Sequence, residues 1–172
     1  LRSLGFRRGD GVMQLAGNRH EVFVVMASAY LMGLRSITLH AMGGLEDHAY
    51  IVQDARPSLF IAEAAHRERA RALRRACPDV PHWLGHEPFD DFEDLHALAA
   101  SFEPEPLRED ALPTDIVRLA YTGGTTGRPK GVMLSNRSMW MQAVLTMASR
   151  GLPPGLKVLC PTPISHGAGA LI

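Results

Sequence analysis

Two periods run through this chain. Between positions 11 and 85, short apolar runs alternate with longer stretches whose apolar residues return every three or four places. These are the signatures of buried strands and of helices. "GVMQLAG" (11–17) predicts a strand closing on a glycine. "NRHEVFVVMASAYLMGLRS" (18–36) predicts a helix with Asn18 as its N-cap. Its apolar residues continue almost all round, so the expectation is burial on most sides. "SITLH" (36–40) reads as a short strand. "LEDHAYIVQDA" (45–55) reads as a helix with its acids early, where the helix dipole favours them. "PSLFIAEA" (57–64) is a buried strand, "AHRERARALRRAC" (65–77) an amphipathic helix, and "VPHWLG" (80–85) a weak strand. In that helix Arg67, Arg71, Arg74 and Arg75 share one face, and Ala70, Leu73 and Cys77 the other.

Strand and helix alternate here at the spacing of βαβ crossovers. The fold class expected is therefore α/β, a largely parallel sheet covered by helices. The pattern changes after position 85. A short helix, "FEDLHALAASF" (92–102), leads into "EPEPLREDALPTD" (103–115), whose prolines and charges read as a linker. A new unit follows: strand "IVRLAYT" (116–122), a glycine-rich loop, strand "GVMLS" (131–135), helix "NRSMWMQAVLTMASRG" (136–151) and strand "KVLCPTP" (157–163). The expected organisation is a βα-repeat subdomain over 1–102, a linker over 103–115, and the start of a second subdomain over 116–172.

Composition narrows the function classes. The 172 residues contain 18 Lys+Arg and 18 Asp+Glu, so no net field draws the chain to nucleic acid or to an anionic membrane. Charge is uneven locally: residues 63–75 are basic, and residues 86–115 hold ten acids against one arginine. The arginine face of 67–75 has no interleaved aromatic and reads as a solvated helix face. Asp90, Asp91, Glu93 and Asp94 read as first-turn acids of the short helix rather than a metal cluster. His20, His40, His48, His66, His82, His86 and His96 show no metal-ligand spacing.

Cys77 and Cys160 make no disulfide framework, which favours a reducing, cytoplasmic setting. Cys160 has no basic neighbour to activate it and reads as structural. The longest apolar run, residues 22–34, is too short to span a bilayer. Both ends read as cut: the chain begins without Met and stops in the apolar "GAGALI". The expectation is a piece of a longer protein, with exposed apolar edges that invite self-association.

The chemistry concentrates in "YTGGTTGRPKGVMLS" (121–135). Its glycines let backbone N–H groups turn inward and approach a ligand closely. Thr122, Thr125 and Thr126 supply hydroxyls, Lys130 a point charge, and Pro129 stiffens the exit. That inventory suits an oligophosphate. Walker A is excluded, because it needs Gly-Lys-Ser/Thr opening a helix, whereas Lys130 is followed by Gly131 and a strand pattern. A glycine-rich hairpin with incidental threonines is the plain alternative.

"YTGGTTGRPKGVMLSNRSM" resembles the phosphate-binding signature of the adenylate-forming enzymes: acyl-CoA synthetases, peptide-synthetase adenylation domains and luciferases. The usual form is [YF]-T-S-G-[ST]-T-G-x-P-K-G-V, and the one departure is Gly123 where serine is common. "LRSLGFRRGDGVMQLAGNRHEVFVVMASAYLMGLRSITL" looks like that family's early segment, and "LEDHAYIVQDARPSLFIAE" like its next βα repeat. "HAMGG" (40–44) departs from the usual turn and carries no assigned role. "PTPISHGAGALI" resembles the motif P-x-x-H-x-x-G and maps His166 and Gly169 beside an acyl substrate; a loop histidine satisfied by backbone is the plain reading of His166.

The resemblance implies a two-step reaction. A carboxylate attacks the α-phosphate of Mg-ATP to give an acyl-adenylate and pyrophosphate, and a thiol, usually coenzyme A, then takes the acyl group. Thr122, Gly123, Gly124, Thr125, Thr126, Gly127 and Lys130 would hold the β- and γ-phosphates, with Thr125 or Thr126 touching Mg²⁺. A fatty acid is the expected substrate, a peptide-synthetase-type domain the alternative within the family, and a non-catalytic phosphate- or partner-binding module the alternative outside it. The family's glutamate motif and its late lysine are not found in these residues, so no complete turnover is expected from them alone.

Overall fold

The computed structural model describes residues 1–122, 127–153, 155–157, 159 and 161–166. Seven strands form one sheet in the order β5-β4-β3-β1-β2-β6-β7. These are β1 (Gly11–Leu15), β2 (Arg35–Thr38), β3 (Leu59–Ala62), β4 (His82–Gly85), β5 (Glu93–Asp94), β6 (Ile116–Thr122) and β7 (Lys130–Ser135). Every pairing is parallel except β6 with β7. The α/β class expected from the alternation is what the chain adopts.

Pleating sorts the core. Met13, Leu15, Phe60 and Ala62 point to one face, where they meet Ile51, Val52 and Ala55 of α2 (Leu45–Ala55) and Ala70 and Leu73 of α3 (Arg67–Ala76). Val12, Leu59 and Ile61, one residue out of phase, point to the other face and meet Val25, Ala29 and Met32 of α1 (His20–Met32) and Leu95 of α4 (Leu95–Ala100). Two-sided burial explains why these strands are apolar throughout rather than alternating. Burying a side chain such as Phe60, fully enclosed, stabilises by about 1.5–3 kcal/mol.

Several expectations need adjusting. The cap of α1 is Arg19, not Asn18. The Asn18 amide instead donates to Thr162 O (3.0 Å), and its carbonyl accepts from Ile164 N (2.8 Å), pinning a distant segment to the start of α1. α1 is not buried on most sides either, since Phe23 and Val24 face outward. One sheet face needs only one stripe of the helix, Val22, Val25, Met26, Ala29 and Met32. Of the four acids at 90–94, Asp94 caps α4, accepting from His96 N, whereas Asp91 and Asp90 pair with Arg74 and Arg71 of α3. The described residues of 157–163 carry no strand.

The stretch 103–115 is tied down along its second half. Asp110 and Ala111 donate backbone N–H groups to Leu31 O. Asp110 pairs with Arg2 and Asp115 with Arg8. The Arg8 hydrogen bond holds the Asp115 carboxyl below its ordinary range.

Candidate phosphate-binding cleft

In an open parallel sheet, ligands collect at the carboxyl ends of the strands, near the point where strand order reverses. Here the order reverses at β1, between β2 and β3. The β1/β3 crevice is filled from within. Gly17 N donates to Glu63, and Arg19 reaches Glu63 after β3, Glu87 after β4 and Glu21 at the start of α1. Hydrogen bonding from Arg19 holds the Glu21 carboxyl at about 2. His86 and His96 stack beside this cluster at 5.8 Å. Burial first, then Arg19 and His96, push His86 down to about 4.

The open cleft lies one strand over, at the carboxyl ends of β2 and β6, with a volume of about 670 Å³. Thr38 and Leu39 form its floor. Ala120, Tyr121, Thr122 and Pro129 form one wall, Ser165 and His166 another. The third wall is the turn 40–44 with Asp47, His48 and Ile51 of α2.

That turn is built by a buried histidine. His48 Nε2 lies 3.0 Å from His40 O, and Nδ1 lies 3.3 Å from Arg69 Nη1. Arginine can only donate, so Nδ1 accepts and Nε2–H donates to the carbonyl. Burial lowers the pKa of His48, which keeps this neutral tautomer. Gly43 packs so closely that a Cβ there would lie 2.3 Å from His48 Nε2. The sequence motif with no assigned role is thus a wall of the cleft.

Of the residues expected to form the site, Thr122 and His166 line the cleft together with Pro129. His166 is brought there by the Asn18 clasp, by Ile164 packed on Ala16, Val22 and Met26, and by Thr38 Oγ1 donating to Ser165 O (3.4 Å). Lys130 opens β7 opposite Thr122, is exposed, and makes no ion pair among the described residues. Gly127 is exposed, with open space where a Cβ would stand. Gly123, Gly124, Thr125, Thr126, Gly169 and Cys160 lie outside the described residues. Among the described lining, Asp47 is the one carboxylate, and Thr38, Tyr121, Thr122 and Ser165 carry hydroxyls. No group of three metal ligands occurs among the described residues. A hard cation such as Mg²⁺ would find one carboxylate and neutral hydroxyls here, too few protein oxygens for a closed cage.

A mostly parallel α/β sheet with an open cleft at the carboxyl ends of β2 and β6 defines the class, and comparison with known proteins gives the family. The family model "AMP-binding enzyme" matches residues 1–172, and the chain belongs to that family. It is 36% identical over 176 residues to a medium/long-chain-fatty-acid–CoA ligase, FadD8 of Mycobacterium tuberculosis, covering 98% of this chain and 31% of that protein. It is 28% identical over 173 residues to a 2-succinylbenzoate–CoA ligase of Bacillus licheniformis, covering 98% of this chain and 33% of the other. The amide bond synthetase McbA of Marinactinospora thermotolerans superposes with a TM-score of 0.86 at 27% identity, over 99% of this chain and 34% of its own. The chain spans about a third of the length of the curated relatives it matches.

Proposed function

We propose that this chain forms the phosphate-binding part of an AMP-forming acid–thiol ligase, which activates a carboxylic acid with ATP and passes the acyl group to coenzyme A. The observation that carries the reading is the meeting of Thr122, Pro129 and His166 in one cleft at the carboxyl ends of β2 and β6. Adenylation must hold the β- and γ-phosphates as a leaving group while charge builds on them, and preorganised donors do this best. Thr122, Gly123, Gly124, Thr125, Thr126 and Gly127 would supply hydroxyls and backbone amides, and Lys130 the balancing charge. Mg²⁺ would neutralise phosphate charge, with Thr125 or Thr126 as its protein contact. His166 and Gly169 would flank the acyl group.

A fatty acid is the substrate we favour, on the match to the fatty-acid–CoA ligase. The 2-succinylbenzoate–CoA ligase is named for a different acid and McbA for amide formation, so the acid and its acceptor are the finer part of the proposal. The division at 103–115 into two subdomains and a cytoplasmic location belong to the same proposal. No helix of the described residues is long and apolar enough to cross a membrane.

A second reading, a module that binds phosphate or a partner without turnover, draws support from α5 (Asn136–Arg150). That helix buries none of its residues and leaves Trp140, Leu145 and Met147 exposed. Pyrophosphate release by the complete gene product separates the two. Lys130→Ala and Thr126→Ala are expected to lower acid-dependent release at least tenfold, the loss of a charged phosphate contact. Unchanged release in both variants contradicts the loop assignment, and no acid-dependent release from the wild type favours the module.

A further inference from the structure

We propose that α2 anchors the two ends of the phosphate loop, with Tyr50 and Asp54 as positioning residues that clamp them. The inference rests on the reading of that loop as a phosphate site. At the loop's entry, Tyr121 Oη donates to the Asp54 carboxylate at 2.5 Å. At its exit, the Arg128 guanidinium lies over the Tyr50 ring, 5.1 Å from the centroid. Tyr50 and Asp54 are four residues apart on one helix and so share a face.

The clamp has a rigid base. α2 is fixed by Ile51, Val52 and Ala55, all buried, and Tyr50 and Tyr121 both pack against the same core. The ladder between β6 and β7 ends at Thr122 and Lys130. The two α2 contacts fall just outside and just inside the stretch between those positions, at 121 and 128. The Tyr121 contact reinforces the next-to-last pair of the ladder, with Gly131, and the Arg128 contact lies beyond the ladder.

The two contacts differ in kind, and the difference suits a phosphate site. Burial and the Asp54 contact raise the Tyr121 pKa, so the phenol stays a donor. The Asp54 carboxylate accepts the phenolic proton's hydrogen bond and turns the phenol toward α2. Arg128 sits on an aromatic face and makes no ion pair among the described residues. A guanidinium held this way keeps its hydrogen-bond donors for an incoming anion. A loop whose ends are already placed loses less freedom on binding, which shows as affinity.

The test is titration of magnesium pyrophosphate into the 172-residue chain by calorimetry. Lys130→Ala probes the loop reading. Tyr50→Leu and Asp54→Ala remove the anchors, whereas Tyr50→Phe keeps the ring and Asp54→Asn keeps an acceptor. The expected result is binding by the wild type, at least ~10-fold loss in Lys130→Ala, and about 3- to 10-fold loss in Tyr50→Leu and Asp54→Ala. The conservative variants are expected to bind as the wild type does, which a mere loss of stability would not produce. The ring-current shift of the Arg128 side-chain protons should vanish in Tyr50→Leu and persist in Tyr50→Phe. Wild-type affinity in Tyr50→Leu and Asp54→Ala, with Lys130→Ala still defective, overturns the clamp and leaves the loop reading standing. No pyrophosphate binding by the wild type overturns the loop reading, and the clamp's role in phosphate binding with it.

Discussion

Gly131 offers a sharp perturbation of the site's architecture. It lies in β7 opposite Tyr121, and a Cβ there would stand 3.0 Å from Leu119 Cδ1, 3.1 Å from Tyr121 Cζ and 3.3 Å from Tyr121 Oη. Carbon atoms prefer separations of about 3.5–4.0 Å, so Gly131→Ala must displace both side chains by roughly half an ångström. Leu119 is buried and Tyr121 is held by Asp54, so neither yields freely. Overpacking of this kind costs about 1–3 kcal/mol. The reduced freedom of the unfolded chain returns about 0.4–1 kcal/mol, leaving a net loss of about 1 kcal/mol. With a urea slope of about 2 kcal/mol/M, the unfolding midpoint should fall by about 0.5 M. In an Asp54→Ala background Tyr121 is free to swing, and the cost should shrink by about half, a coupling that a double-mutant cycle reads directly. An unchanged or raised midpoint for Gly131→Ala, or full additivity with Asp54→Ala, refutes this picture of a Tyr121 ring wedged between β7 and α2.

His86 predicts an acid limb to stability. Its folded pKa is depressed to about 4, so the unfolded chain takes up the proton first, near the ordinary histidine value, and stability is full above that value and lost as pH falls toward 4. The whole interval is worth ~3 kcal/mol, reduced to about 2 kcal/mol by solvent around the neighbouring carboxylates. Urea midpoints from pH 7.5 to 4.5 should show the decline and His86→Leu should flatten it; an equal decline in both assigns the acid limb elsewhere. Asn18→Ala removes both hydrogen bonds to the 162–164 segment, at about 1–2 kcal/mol of local stability. Limited proteolysis read by mass spectrometry should then cut within 161–166 sooner, with the global midpoint little changed; equal cutting rates count against the clasp.

Much of the fold was legible because local pattern and tertiary role agree. "LEDHAYIVQDA" is α2 and "IVRLAYT" is β6, residue for residue. The arginine face of α3 lies outward while Ala70 and Leu73 are sealed in the core. What local pattern does not carry is pairing between distant segments. Asn18 sits where a cap belongs, yet its side chain is taken by Thr162 and Ile164, 144 and 146 residues away. "KVLCPTP" has a strand's composition, but no strand forms among its described residues, and Leu159 is exposed. The site shows the same split. The glycine loop announced itself by composition, and Thr122 and His166 do share a cleft. Its supports on α2, by contrast, look in sequence like any aromatic and acid on an amphipathic helix.

The most direct measurement is to map magnesium pyrophosphate onto the chain by backbone and side-chain NMR shifts. The account predicts that Thr122, Gly127, Arg128 and Lys130 move most, with smaller changes at Thr38 and His166 across the cleft. It also predicts none at the second cleft, of about 370 Å³, beside Arg56 and Cys77 at the opposite end of the strands. Shifts centred on that second cleft, or spread over the surface without focus, would contradict the placement of the phosphate site.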